Sequence, residues 1–124
     1  MGSFKDLLVY KKAFSLAQDI FEVSKSFPKE EKYSLTDQIR RSSRSVCANF
    51  AEAYRKRVYV AHFKSKLTDS DAENSETQVW LDFSLSCGYI QNDTYSTLYN
   101  RSIEVGKLLN HAMYNPGNYG VKVN

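Results

Sequence analysis

Through four successive stretches of this chain apolar residues recur at steps of three and four, and no strand pattern of any length lies between them. Such stripes are buried by packing helices side by side. The first runs Leu7, Tyr10, Phe14, Ala17, Phe21 and Ser24, broadened by Ile20 and Phe27 and stopped by Pro28, which predicts a helix over 5–27. After a charged turn, Ser34 with Asp37 three residues on reads as an N-cap with a weak capping box. The second helix, over 35–57, carries Leu35, Ile39, Ser42, Val46, Asn49, Phe50 and Ala53, and the run Val58-Tyr59-Val60 places its break near Arg55 to Tyr59. The third, over 60–87, shows Phe63, Leu67, Ser70, Asn74, Thr77, Leu81 and Leu85 and closes at Gly88, suited to a left-handed C-cap. Asn92 caps the fourth, over 93–114, which presents Tyr95, Leu98, Ser102, Val105, Leu109 and Ala112. Pro116-Gly117-Asn118 then reads as a loose tail over 115–124.

Four helices of about 20 residues, each ~30 Å long and joined by short turns, imply an all-α, antiparallel up-down-up-down bundle. At 124 residues the chain is expected to form a single domain. It can bury roughly 68% of its unfolded surface, enough for a core without disulfide or metal. No stretch reaches the ~20 apolar residues of a membrane-spanning helix, and Met1 to Asp6 carry no secretion or myristoylation signal. The expected setting is cytoplasmic, with no membrane partner. Cys47 and Cys87 fall in helical segments without a Cys or His at metal-ligand spacing, so both read as buried, reduced thiols.

The overall charge of +3 hides a sharp internal asymmetry. Residues 34–57 hold six basic side chains (Arg40, Arg41, Arg44, Arg55, Lys56, Arg57) against two acidic, whereas residues 58–90 hold two basic against five acidic. On a helical projection Arg40, Arg41, Arg44 and Arg55 form one ridge opposite Ile39. Two readings stand: the arginines pair with the acidic third helix, or they form a ridge for nucleic-acid phosphates, to which guanidinium forks are suited. The third helix has a leftover face as well. Ala72, Val79, Trp80, Phe83 and Cys87 project away from Leu67, Leu81 and Leu85, and an exposed Trp–Phe patch points to a contact with another subunit, centred on Val79, Trp80 and Phe83. Midway along the core stripes the residues turn polar: Ser42 and Asn49, then Ser70, Asn74 and Thr77. Buried polar groups need partners, so a hydrogen-bonded layer fixing helix register is expected.

Motifs for cofactor or metal chemistry are missing: there is no phosphate loop, nucleophile elbow, zinc-spaced Cys/His set or dinucleotide fingerprint. No cofactor, metal or catalytic residue is expected. One spacing bears on catalysis, since Arg57 and His62 fit the Arg-x4-His pattern of HEPN-type ribonucleases, in which His acts on the 2′-hydroxyl while Arg holds phosphate. The acidic Asp69, Asp71 and Glu73 point in different directions around a helix and read as a solvated face rather than a cation site.

Several strings, taken together, resemble a known family. Phe27 to Ser42 (FPKEEKYSLTDQIRRS), Ser45 to Glu52 (SVCANFAE), Ala72 to Gln78 (AENSETQ), Cys87-Gly88-Tyr89-Ile90 and the leading Phe4 to Lys11 (FKDLLVYK) resemble the bacterial four-helix-bundle proteins encoded in intervening sequences of large-subunit ribosomal RNA genes, the S23 type. The resemblance implies a ring-forming homo-oligomer, commonly a pentamer, with a basic surface for RNA or DNA. It also implies kinship with accessory subunits of retroelement reverse transcriptases, and so a possible polymerase partner. Arg40, Arg41, Asn49, Ala51 and Glu52 match its motifs. Cys47 stands where the family has Pro and Ala53 where it has Gly, so a kink in the second helix and the turn after it are expected to be lost or moved.

Overall fold

The computed structural model describes residues 3–122; Met1 and Gly2, together with Val123 and Asn124 of the expected tail, lie outside the described residues. Among the described residues there are four α-helices and no strand: α1 (Leu8–Ser24), α2 (Leu35–Arg55), α3 (Val60–Ser86) and α4 (Asn92–Tyr114). Each boundary has a local cause. The start expected at residue 5 is split, because Ser3 and Asp6 form a capping box around a separate 3-10 turn, Phe4–Asp6, and Leu7 is extended before α1 begins. Ser34 does occupy the N-cap position of α2, but its hydroxyl donates to Glu31 Oε1 at 2.6 Å instead of accepting from the helix. Glu31 is the acceptor for the Leu35 N–H at 3.3 Å, so the cap comes from the preceding turn and not from the Ser34/Asp37 pair.

Cys47 and Ala53 lie inside one continuous α2, so neither a proline kink nor a glycine turn interrupts it. Lys56 to Tyr59 then form the turn into α3. At the far end of α3 the N–H of Gly88 donates to Leu85 and that of Tyr89 to Ser84, both at 2.9 Å, with Gly88 at φ +77. This is the 5→2 and 6→1 closure for which a residue without Cβ is suited. Asn92 is the first residue of α4 rather than its cap; Gln91 holds the cap position and no side chain bonds there.

One core runs through all four helices. Phe50, Phe63, Ile20, Ile39, Leu67, Leu81, Leu109 and Val105 are its largest fully buried members. α1 packs on α2 and α4, and α3 packs on the same two, which leaves α1 and α3 at opposite corners of the bundle. In α1 the expected stripe is rotated. Val9, Ala13, Leu16, Ala17, Ile20 and Ser24 face the core, whereas Phe14 is 50% exposed and Leu7, Tyr10 and Phe21 are half-buried. The two alanines let α1 seat closely, and the bulkier aromatics are pushed to the seam beside α2.

The tail departs from expectation too. Pro116–Tyr119 make a 3-10 turn, Pro116 and Val121 are buried, and Tyr119 packs at 6.4 Å from Phe63, so the chain folds back over the end of the bundle.

Candidate nucleic-acid interface

α2 carries its basic residues in two groups, and the structure gives them different surroundings. Arg41 turns toward α3, where Nη2 lies 3.3 Å from Glu73 Oε1 and 3.0 Å from Glu76 Oε1. It is spent on the fold's own acidic helix. Arg40 and Arg44 turn the other way, their guanidinium groups 4.6 and 5.3 Å from the Phe21 ring centroid on α1. Arg40 Nε also donates to Ser24 Oγ at 2.7 Å. Stacking on a ring and a neutral hydroxyl orient these two cations without neutralising them. Among the described residues neither has a carboxylate partner. An open hollow of about 500 Å³ lies along them, bounded by Asp37, Arg40, Arg41, Arg44, Ser45 and Ala48.

The second group sits at the turn after α2. Arg57 lies flat on Tyr54, its guanidinium carbon 3.6 Å from the ring centroid, and its Nε donates to the Tyr54 carbonyl at 2.8 Å. Arg55 and Lys56 are exposed and have no acidic partner among the described residues. A hollow of about 300 Å³ opens between Arg55, Arg57, Val58, Gly120 and Lys122. Gly120, at φ +82, brings the returning tail against the arginine: a Cβ there would stand 3.1 Å from Arg57 Nη1. Lys122 therefore joins this group, although it lies 65 residues from Arg57 in sequence and no periodicity signals it. Eleven residues separate Arg44 from Arg55, so the two groups stand ~16 Å apart along α2.

Behind the ridge is the polar layer. Ser42 and Thr77 hydroxyls meet at 2.9 Å, Thr77 Oγ1 also donates to the Glu73 carbonyl, and Ser70 Oγ donates to the Val46 carbonyl at 2.8 Å. Asn74 Nδ2 donates to the Ser102 carbonyl while Ser102 Oγ donates back to Asn74 Oδ1, each at 2.9 Å. Gln78 Nε2 adds a third bond, to Ser102 Oγ, at 3.0 Å. The layer thus reaches α4 through Ser102, and Asn49 is not part of it. Asn49 is half-buried and its amide donates to Ser45 on its own helix, a local bond that asks nothing of a neighbour.

On the outer face of α3, Val79 is 44% and Phe83 53% exposed. Trp80 is turned further in: it is half-buried, its ring 6.1 Å from Phe83, and its indole N–H is buried with no acceptor among the described residues. The patch is therefore led by Val79 and Phe83 rather than by the tryptophan. Cys87, expected to be buried, is exposed, because it is the C-cap of α3 and lies past the last core residue. Cys47 is buried, and desolvation pushes its thiol up to about 11.

Arg57 and His62 do not share a hollow. His62 is exposed with its ring 5.3 Å from Tyr59, while Arg57 is stacked on Tyr54. The acidic residues of α3 disperse likewise: Asp69 pairs with Lys66, Glu73 with Arg41, and Asp71 is half-buried, which pushes its carboxyl up.

Residues 5–111 match the family model of the 23S rRNA-intervening sequence protein. The chain belongs to that family. Among solved structures, the chain is similar to a protein of unknown function from the S23 ribosomal protein family of Bacteroides thetaiotaomicron. It is 32% identical, with a TM-score of 0.77, over 86% of this chain and 98% of that one. No curated protein matches the chain. Among the described residues no helix is long and apolar enough to cross a membrane.

Proposed function

We propose that this chain is a non-catalytic bundle with antiparallel, up-down-up-down helices, assembling as a ring-shaped homo-oligomer of pentamer size, which binds RNA or DNA through α2 in the cytoplasm. The antiparallel reading is supported by the order of facing residues: Ser42 meets Thr77 where Ser70 meets Val46, and Lys12 meets Glu104 where Asp19 meets Arg101. One observation carries the binding reading. Of the cations on α2 and its turn, Arg41 is matched by carboxylates, and Arg40, Arg44, Arg55, Lys56 and Arg57 are not, among the described residues. Arg57 and Arg44 are held by aromatic faces with their forks free, an arrangement suited to phosphate rather than to a particular base.

Fluorescence anisotropy with a short single-stranded RNA and a duplex DNA tests this. Affinity is expected to fall steeply with salt, with weak sequence preference. Binding that is insensitive to salt, or unchanged when Arg40, Arg44, Arg55, Lys56 and Arg57 are all changed to Glu, would end the reading. A second reading, an accessory subunit for a polymerase or reverse transcriptase, draws support from the exposed Val79 and Phe83. A host pull-down that survives nuclease treatment would favour it.

A further inference from the structure

Two apolar surfaces are left uncovered, one in the seam between α1 and α2 and one on the outer face of α3. The first is a hollow of about 360 Å³ in the seam between α1 and α2, walled by Phe4, Tyr10 and Phe14 on one side and by Arg44, Ala48 and Ala51 on the other. The second is the stripe on α3 led by Val79 and Phe83, with Ala72 and Ser86 above and below them at helical spacing.

Their charges differ in sign. Arg44 lines the α1/α2 hollow and Lys11 follows Tyr10 on α1; both are exposed and without acidic partners among the described residues. By helical position Asp69 and Glu76 flank the α3 stripe on one side and Asp82 on the other. Asp69 and Glu76 are about half exposed even though each has a basic partner, and Asp82 is exposed. Consider what each surface could meet in a second copy. Stripe on stripe sets carboxylate against carboxylate, and hollow on hollow sets Arg44 and Lys11 against themselves. Stripe in hollow buries Phe83 and Phe14 together and brings opposite charges to one rim.

We infer that copies of this chain associate head to tail, the α3 stripe of one seated in the α1/α2 hollow of the next. This rests on the oligomer reading above and adds the two surfaces that make the contact. The contact is heterologous, and the two patches share no residue, so each copy uses one hollow and one stripe. Each therefore has two neighbours, and the array closes as a ring or continues as a filament.

Complementation tests it. Phe14→Glu disables the hollow and Phe83→Glu the stripe; both side chains are half-exposed, and circular dichroism with a thermal melt verifies folding. Native mass spectrometry at micromolar concentration should show wild-type oligomers and each variant alone as monomer. The two variants mixed should give a one-to-one heterodimer that grows no further, since it has one intact hollow facing one intact stripe. Ala48→Glu, at an exposed position lining the hollow, paired with Val79→Glu repeats the test should a first variant misfold. If the wild type assembles but the mixture remains monomeric, or if either class of variant leaves assembly intact, the pairing is wrong while the oligomer reading survives. A monomeric wild type overturns both.

Discussion

The two edges of α2 treat the same kinds of side chain in opposite ways. Along the edge facing α3, polar groups are paired off: Ser42 with Thr77, the Val46 carbonyl with Ser70, Arg41 with Glu73 and Glu76, and Glu52 with Lys66. Along the outer edge and at the turn, the cations rest on rings, hydroxyls or carbonyls and meet no carboxylate among the described residues. A saturated edge contributes register and stability and has little left to give a ligand. An unsaturated one contributes little to folding and keeps its charge for something outside the chain. Substitutions on the first should therefore move stability and spare binding, and those on the second should do the reverse.

The largest effect is expected at the turn. Changing Arg55, Lys56 and Arg57 together to Glu should weaken RNA and DNA binding by about a hundredfold or more at low salt and reduce the slope of log affinity against log salt by about 3. The melting temperature should hardly change, because none of the three is in an ion pair in the described residues. Anisotropy across a salt series, alongside a thermal melt, reads both. Loss of folding with binding intact would reverse the comparison.

Next comes the saturated side at its most buried point. Asn74→Leu removes the acceptor of the buried Ser102 hydroxyl, which keeps only its bond from Gln78, and one donor to the Ser102 carbonyl, at a cost of about 1–3 kcal/mol. Gly106 stands against the same amide, where a Cβ would lie 3.3 Å from Asn74 Nδ2, so the branched replacement has little room to adjust. Urea denaturation gives the stability change, and nucleic-acid affinity measured well below the midpoint should be unaltered. A variant of wild-type stability would mean that the layer is replaceable by apolar packing.

Arg41→Ala is the sharpest discriminator, because on the sequence alone Arg41 is indistinguishable from Arg40 and Arg44. Its exposed pairs with Glu73 and Glu76 should make it worth less than about 1 kcal/mol to folding. Binding should fall far less than in Arg44→Ala or Arg55→Ala. Equal losses across the three would show that the acidic helix does not withdraw Arg41 from a ligand.

How much of this was legible beforehand depends on whether a residue's neighbour lies within one helical repeat. Ser42, Ser70, Asn74 and Thr77 could be placed because a polar side chain at a core position has to find a partner. Asn49 occupied an equivalent position, yet its amide reached its own backbone one turn back, an option that periodicity does not weigh. In α1, apolar residues cover more than half the circumference, so spacing alone did not set its rotation, and Val9, Ala13 and Leu16 joined the expected Ala17 on the core face in place of Tyr10 and Phe14. The asymmetry of charge between α2 and α3 was plain, but which arginine the acids would take was decided by side-chain reach across the seam. Lys122 and the buried Val121 were hidden for a different reason: a short Pro-Gly-Asn stretch reads as a loop, and the fold-back that places it beside Arg57 is a tertiary contact.

The smallest expected effect tests whether saturation also operates outside the α2–α3 seam. Glu31, in the turn before α2, accepts from Ser34 Oγ at 2.6 Å and from Tyr89 Oη, beyond the end of α3, at 2.8 Å, as well as from the Leu35 N–H. The Ser34 bond first, then those from Tyr89 and Leu35, hold its carboxyl below the ordinary value of 4.5, and the same contact pushes the Tyr89 hydroxyl up to about 12. A carboxylate whose folded value lies below its unfolded one contributes stability that is complete above about 4.5 and fades as pH falls through the folded value. Glu31→Gln cannot titrate. The difference in melting temperature between wild type and Glu31→Gln should therefore be constant at neutral pH and narrow on acidification below 4.5. Comparing with the variant cancels the contributions of the other carboxylates, which are common to both proteins. A gap that stays open at low pH would assign the effect of Glu31 to its shape in the turn rather than to its charge.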